Sequence, residues 1–68
     1  SSTDSIYNYK SEDGKTTLGY LEIRLVDGVV DIMSLFVNEE VRRRGIATSL
    51  MEHMLNNEEY SRIMLEVN

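Results

Sequence analysis

Asp31-Ile-Met-Ser-Leu-Phe-Val-Asn-Glu-Glu-Val-Arg-Arg-Arg-Gly-Ile-Ala-Thr-Ser-Leu50 carries an apolar run through an arginine cluster and one glycine into a segment of helical periodicity. That layout is a strand feeding a helix whose start suits a phosphate. A helix N-terminus presents unpaired backbone N–H groups and the positive end of the macrodipole, and Gly45 lets a ligand reach that backbone without meeting a β-carbon. Glycine near a helix start is up to about 1 kcal/mol less favourable than alanine, so another requirement favours it there.

Upstream of the junction, Val29 to Val37 is almost continuously apolar, which predicts an interior strand covered on both sides at the centre of a sheet. Asp27-Gly28 precedes it as a hairpin turn. Before that turn, Thr17 to Val26 alternates Leu21, Ile23 and Leu25 with Glu22, Arg24 and Val26, giving a strand with one apolar and one mixed face. Ser11-Glu-Asp-Gly-Lys15 marks an earlier turn, and Ile6 to Lys10 a short strand leading into it. Downstream, Ile46, Ala47, Leu50, Met51, Met54 and Leu55 share one face of a helix running from Gly45 to about Asn56. Asn56-Asn57 can end that helix, and Ile63 to Val67 reads as a strand returning parallel to the one before it. The order is β-β-β-α-β, an α/β (α+β) fold with a mostly antiparallel sheet, one packed helix and a parallel last pair.

With 68 residues the chain is a single small domain, 1–68, burying only about 60% of the surface its unfolded form exposes. Without cysteine it has neither disulfide, thiolate zinc site nor cysteine nucleophile, and one histidine adds no metal cluster. A net charge of −5 argues against general nucleic-acid or anionic-membrane binding, yet Arg42, Arg43 and Arg44 gather three of the seven basic residues where the helix begins. No run approaches the roughly 20 apolar residues of a membrane span and no signal-peptide core precedes the first strand, so the expected location is cytoplasmic. The start at Ser1-Ser2 without methionine and the stop at Asn68 read as a fragment or a processed chain.

Arg42-Arg-Arg-Gly-Ile-Ala47 fits the pattern Gln/Arg-x-x-Gly-x-Gly/Ala and, with Ile32 to Val37 before it and Leu50-Met51 after it, resembles the acetyl-CoA-binding segment of the GNAT superfamily of N-acetyltransferases. Gly14-Lys-Thr-Thr-Leu-Gly-Tyr20 looks like that family's second-to-third-strand hairpin, and Ile63-Met-Leu-Glu-Val67 like its fifth strand. The resemblance implies an acyl-CoA N-acyltransferase-like fold restricted to the central cofactor-binding core. It lacks the family's first strand and two helices, its fourth helix and its last two strands.

By the same resemblance, the CoA pyrophosphate would rest on backbone amides from Arg43 to Thr48 (Arg43, Arg44, Gly45, Ile46, Ala47, Thr48), with Arg42 shaping the loop. Main-chain groups of Leu35 and Val37, flanking Phe36, would pair with pantetheine like an added strand. Two carboxylates match positions at which branches of the family place a general base: Asp31 on the strand before the arginines, and Glu66 in Leu-Glu-Val. Tyr7, Tyr9, Tyr20 and Tyr60 do not match the family's thiolate-protonating tyrosine. The implied reaction is acetyl transfer from acetyl-CoA to a primary amine on a small molecule or protein, and the acidic balance suits a cationic acceptor.

Plainer readings stand beside these. Asp31 and Glu66 can be solvent-facing strand residues, His53 a solvated residue on the polar helix face, and Met33, Met51, Met54 and Met64 core filler. Two rivals to an enzyme follow: a CoA-binding module without activity, and an interaction module completed by sheet pairing or homo-oligomerisation through exposed strand edges.

Overall fold

The computed structural model of the chain describes residues 1–65. Strands β1 (Ser2–Lys10), β2 (Thr17–Val26) and β3 (Val29–Val37) are followed by a 3-10 turn at Glu39–Val41, helix α1 (Ile46–Asn57) and strand β4 (Arg62–Leu65). The sheet order is β1-β2-β3-β4, antiparallel through the first three strands and parallel between β3 and β4. This is the expected β-β-β-α-β arrangement.

The β2–β3 connection explains itself at the residue level. Asp27 and Gly28 both have positive φ, 50° and 78°, the requirement of a two-residue turn whose twist matches the strands it joins. The β1–β2 connection is longer. There the Ser11 hydroxyl and the Asp13 carboxylate take the backbone N–H groups of Thr16 and Lys15 at 3.0 Å each.

Four expectations need correction. β1 begins at Ser2 rather than Ile6, because the full length of β2 offers a pairing ladder from Ser2↔Val26 onward that outweighs the weak strand preference of Ser, Thr and Asp. β3 is interior in the sheet but covered by α1 on one face only, so Phe36 on the other face remains 42% exposed, and beyond the end of its pairing with β4 among the described residues Met33 and Leu35 are 44% and 45% exposed as well. Of the methionines, Met54 is fully buried and Met51 packs at the core's edge, whereas Met33 and Met64 are exposed. β4 begins at Arg62, and the part of the expected strand at Glu66 and Val67 lies outside the described residues.

The core is the interface between one helix stripe and one sheet face. Ile46, Leu50 and Met54, spaced by four, lie against Leu21, Ile23, Val30 and Ile32. Each such side chain contributes about 1.5–3 kcal/mol on burial. Gly19 brings the two layers together at one end: a β-carbon there would lie 2.8 Å from the Phe36 carbonyl oxygen and 3.0 Å from Ile46 Cγ2. At the other end, the Tyr7 hydroxyl donates to the Glu58 carboxylate and accepts from Asn57 Nδ2 at 3.0 Å, tying β1 to the end of α1.

A bulge decides which β3 residues meet the helix. Ile23 pairs with Ile32 while Glu22 pairs with Ser34, so Met33 is an extra residue on β3. Val30 and Ile32 face α1 before it. After it the phase changes, and Leu35 and Val37, opposite Leu21 and Gly19, take that face.

Candidate functional site: a cleft at the start of the helix

The cleft forms where β3 ends. Asn38 N–H donates to the Leu18 carbonyl at 2.7 Å, holding the exit of β3 against β2, and Asn38 Oδ1 accepts from Glu40 N–H at 3.0 Å to set the 3-10 turn. Arg42 is extended, with φ −64° and ψ 155°. Arg43 and Gly45 then both enter the left-handed region, with φ 67° and 79°. Alternation of left-handed and ordinary conformations turns successive N–H groups toward one side, the geometry of an anion nest.

The helix start is left open to a ligand. Gly45 is the N-cap and gives no side-chain cap, and the first helical bond runs from Ser49 N–H to the Gly45 carbonyl at 2.9 Å. The amides of Ile46, Ala47 and Thr48 therefore have no acceptor within the helix. No acidic side chain occupies the first turn, where one would compete with an anion. A β-carbon on Gly45 would meet nothing within 4 Å, so its demand is for the backbone angle and an unobstructed approach.

A cleft of about 460 Å³ lies over these groups. Leu35 and Val37 line it from β3, Arg42, Arg43 and Gly45 from the loop, and Ile46, Ala47 and Thr48 from α1. Arg42 Nε donates to the Val37 carbonyl at 3.3 Å, bridging the loop and the end of β3. Two residues named with them stand apart. Phe36 points to the other sheet face, stacked on Tyr20 with ring centroids 5.4 Å apart, and the side chain of Arg44 is exposed outside the lining.

Along β3 the cleft continues into an apolar cavity of about 240 Å³ lined by Ile32, Met33, Ser34, Leu35, Met51 and Leu65. Leu35 lines both. Among the described residues, β3–β4 pairing ends at Ile32↔Leu65, so the β3 edge from Met33 to Val37 has no paired strand beside it.

Of the two carboxylates, the described structure places one. Asp31 lies opposite Arg24 on the face away from α1, beside the ion pair in which Arg24 Nε meets Asp4 Oδ1 at 2.8 Å. That hydrogen bond holds the Asp4 carboxyl below, and the Arg24 guanidinium above, its ordinary range. Glu66 lies outside the described residues. Among the described residues no group of three or more His, Cys, Asp or Glu side chains is placed to hold a metal, and no helix is long and apolar enough to cross a membrane.

Sequence reasoning assigned no structural part to Gly19, Asn38 or the Met33 bulge. The bulge had no signal, since the nearly continuous apolar run of β3 gives no alternation in which a change of face would show. Asn38 had one, as a capping residue two positions before Glu40.

A family model described as "Acetyltransferase (GNAT) family" matches residues 2–68. Among solved structures, an acetyltransferase from Bacillus cereus ATCC 14579 superposes with a TM-score of 0.74 at 24% identity, over 81% of this chain and 39% of that one. A Pyrococcus furiosus protein provisionally assigned as an acetyl transferase gives 0.80 at 20% identity, over 97% of this chain and 50% of that one. An aminoglycoside acetyltransferase from an uncultured soil metagenomic sample gives 0.75 at 25% identity, over 85% of this chain and 43% of that one. The chain thus spans half or less of the length of these structures. It has no significant match among curated proteins.

Proposed function

We propose, from the premise that the chain belongs to the acetyltransferase (GNAT) family, that its cleft holds acetyl-CoA and that it forms the cofactor-binding core of an N-acetyltransferase acting on a primary amine. The observation that carries this reading is the pair of left-handed residues Arg43 and Gly45 ahead of an uncapped helix start.

The residues present fit the cofactor. A diphosphate matches the amides of Ile46, Ala47 and Thr48, which have no acceptor within the helix and meet no acidic competitor in the first turn. Arg42 and Arg43 line the same cleft and add charge-assisted hydrogen bonds. The edge of β3 at Leu35 and Val37, which has no paired strand among the described residues, offers main-chain donors and acceptors to the amides of a pantetheine arm, as an edge strand does to an added strand. When bound, acetyl-CoA supplies an activated thioester carbonyl. The chain's own tasks are to fix that molecule, to keep its backbone donors in place and to remove the amine proton.

For proton removal we assign Glu66, which stands in Leu-Glu-Val at the position where a branch of the family places its base. Asp31 stands beside Arg24 on the opposite face of the sheet, away from the cleft. The acidic balance, −5 overall, suits a cationic amine as acceptor. The test is acetyl transfer to a polyamine or a lysine peptide. Glu66→Gln is expected to lower kcat by about 10²–10⁴, with Asp31→Asn leaving it within a few-fold. The reverse ranking overturns the assignment of the base, and a chain that binds no CoA overturns the reading itself.

One observation favours the interaction-module reading as a second. The sheet face away from α1 leaves Ile6, Phe36 and Met64 at 59%, 42% and 44% exposure, and it would take a covering partner or a second copy. Binding to that face would leave the response to CoA unchanged.

A further inference from the structure

The apolar cavity beyond the cleft has no part in holding a diphosphate or an amide-bearing arm, yet it opens from the same groove. The helix lays Ala47 and then Met51, one turn on, along the β3 edge, so the groove passes from the helix start to the cavity without leaving α1. Leu35 is the shared wall. Five of the six lining residues are apolar, and two are methionines, whose unbranched side chains adapt to the shape of what they meet.

Direction along the groove follows from chemistry. An anion belongs at the helix start, so in a linear molecule with a diphosphate toward one end and an acylated thiol at the other, the acyl end lies down β3 toward Ile32. From Val37 to Ile32 the strand advances about 16 Å at its usual rise of about 3.3 Å per residue. The cavity of about 240 Å³ at that end has room for about eight waters at liquid density. An acetyl group, with a single methyl beyond its carbonyl, leaves most of it empty.

We infer that the cavity walled by Ile32, Leu35, Met51 and Leu65 selects acyl groups longer than acetyl, making this chain a binder of short- to medium-chain acyl-CoA thioesters. The inference rests on the reading of the cleft as a CoA site. Affinity then depends on the acyl chain, through Ile32, Met51 and Leu65, which lie outside the lining of the cleft at the helix start. A methyl group entering the cavity replaces water against apolar walls, and each further methylene does so again until the cavity is full.

The test is calorimetric titration of the 68-residue chain with free CoA, acetyl-CoA, butyryl-CoA and hexanoyl-CoA. The readout is the affinity of each thioester relative to free CoA on the same protein, so any general change in CoA binding cancels. The expected result is a rise of about two- to fourfold per added methylene from acetyl to butyryl, levelling toward hexanoyl. In Leu65→Asp, which places a charge in a wall already 65% exposed and so spares the core, that rise should flatten. Met51→Phe, which fills the cavity from the helix side, should move the optimum back toward acetyl.

Free CoA that binds while the series stays flat or falls with chain length overturns the inference and leaves the cofactor reading standing. A rise that persists unchanged in both variants places the acyl chain elsewhere and overturns it as well. Failure of free CoA and of every thioester to bind removes the cofactor reading and this inference together.

Discussion

At the scale of single residues, the cleft is made by backbone angles more than by side-chain identity. Arg43 is a non-glycine residue at φ 67°, a conformation that is about 1 kcal/mol or more above the ordinary one for a side chain without a local polar anchor. Arg43→Gly is therefore expected to raise stability by about 0.5–1 kcal/mol in denaturant unfolding. It should weaken CoA binding by no more than about tenfold, because the amides stay and only one charge is lost. Thr48→Glu separates the two roles of the helix start in the opposite sense. A glutamate in the first turn complements the macrodipole by about 0.3–1 kcal/mol, so the midpoint of thermal unfolding should rise while CoA affinity falls at least tenfold. A variant that gained stability and kept full affinity would show that no anion sits on those amides.

At the scale of elements, the contact between β2 and the start of α1 fixes the width of the cleft. Gly19→Val would drive a branched side chain into the Phe36 carbonyl and Ile46 Cγ2, at 2.8 and 3.0 Å from its first carbon. The expected result is a loss of about 1–3 kcal/mol, with amide-exchange protection falling first at Ile46 to Leu50. Strand and helix types were legible in the sequence because the turns carried specific chemistry and the helix carried a clean stripe. Asp27-Gly28 could hardly be anything but a tight hairpin, and Ile46, Leu50 and Met54 repeat every four residues. The course of β3 was harder to read. Its apolar run hides the change of phase at Met33, since a strand with apolar residues at nearly every position gives no alternation from which to see one face exchange for the other. Phe36 faces away from its neighbours Leu35 and Val37 by the plain alternation of a strand. The far start of β1 was hidden by composition, because Ser2 to Ser5 owe their extended form to a partner strand rather than to their own preferences.

At the scale of the whole molecule, one helix on one sheet face leaves a small core, and two polar ties outside it make stability depend on pH at both ends of the range. Burial, reinforced by the donated bond to Glu58, raises the Tyr7 hydroxyl above its ordinary value of 10.0. The folded state thus holds that proton more tightly than the unfolded state. Its contribution is fully present below the unfolded value and is lost as pH rises through the folded one. Asp4 behaves in the mirror sense: its hydrogen bond to Arg24 lowers it from 3.8, so its contribution is present above that value and is lost as pH falls through the folded one. Tyr7→Phe should flatten the alkaline limb of a stability–pH profile and Asp4→Asn the acid limb, and a profile unchanged in both would remove these ties from the account. The charge pattern that makes the cleft distinctive was visible from the sequence, as three arginines set against a net charge of −5. What sequence could not supply was their disposition: Arg42 and Arg43 line the cleft while Arg44 lies outside it, because the left-handed turns at Arg43 and Gly45 redirect the chain between them.

The most direct test of the central claim, that the start of α1 and the edge of β3 from Leu35 to Val37 form one cofactor site, is an amide-resolved NMR titration of the chain with acetyl-CoA. Saturable shifts concentrated at Leu35 to Val37 and Arg43 to Thr48, with β1 and the face bearing Ile6 unchanged, are the predicted result. A well-dispersed spectrum that does not respond at those amides, or responds only on the face away from the helix, would contradict it.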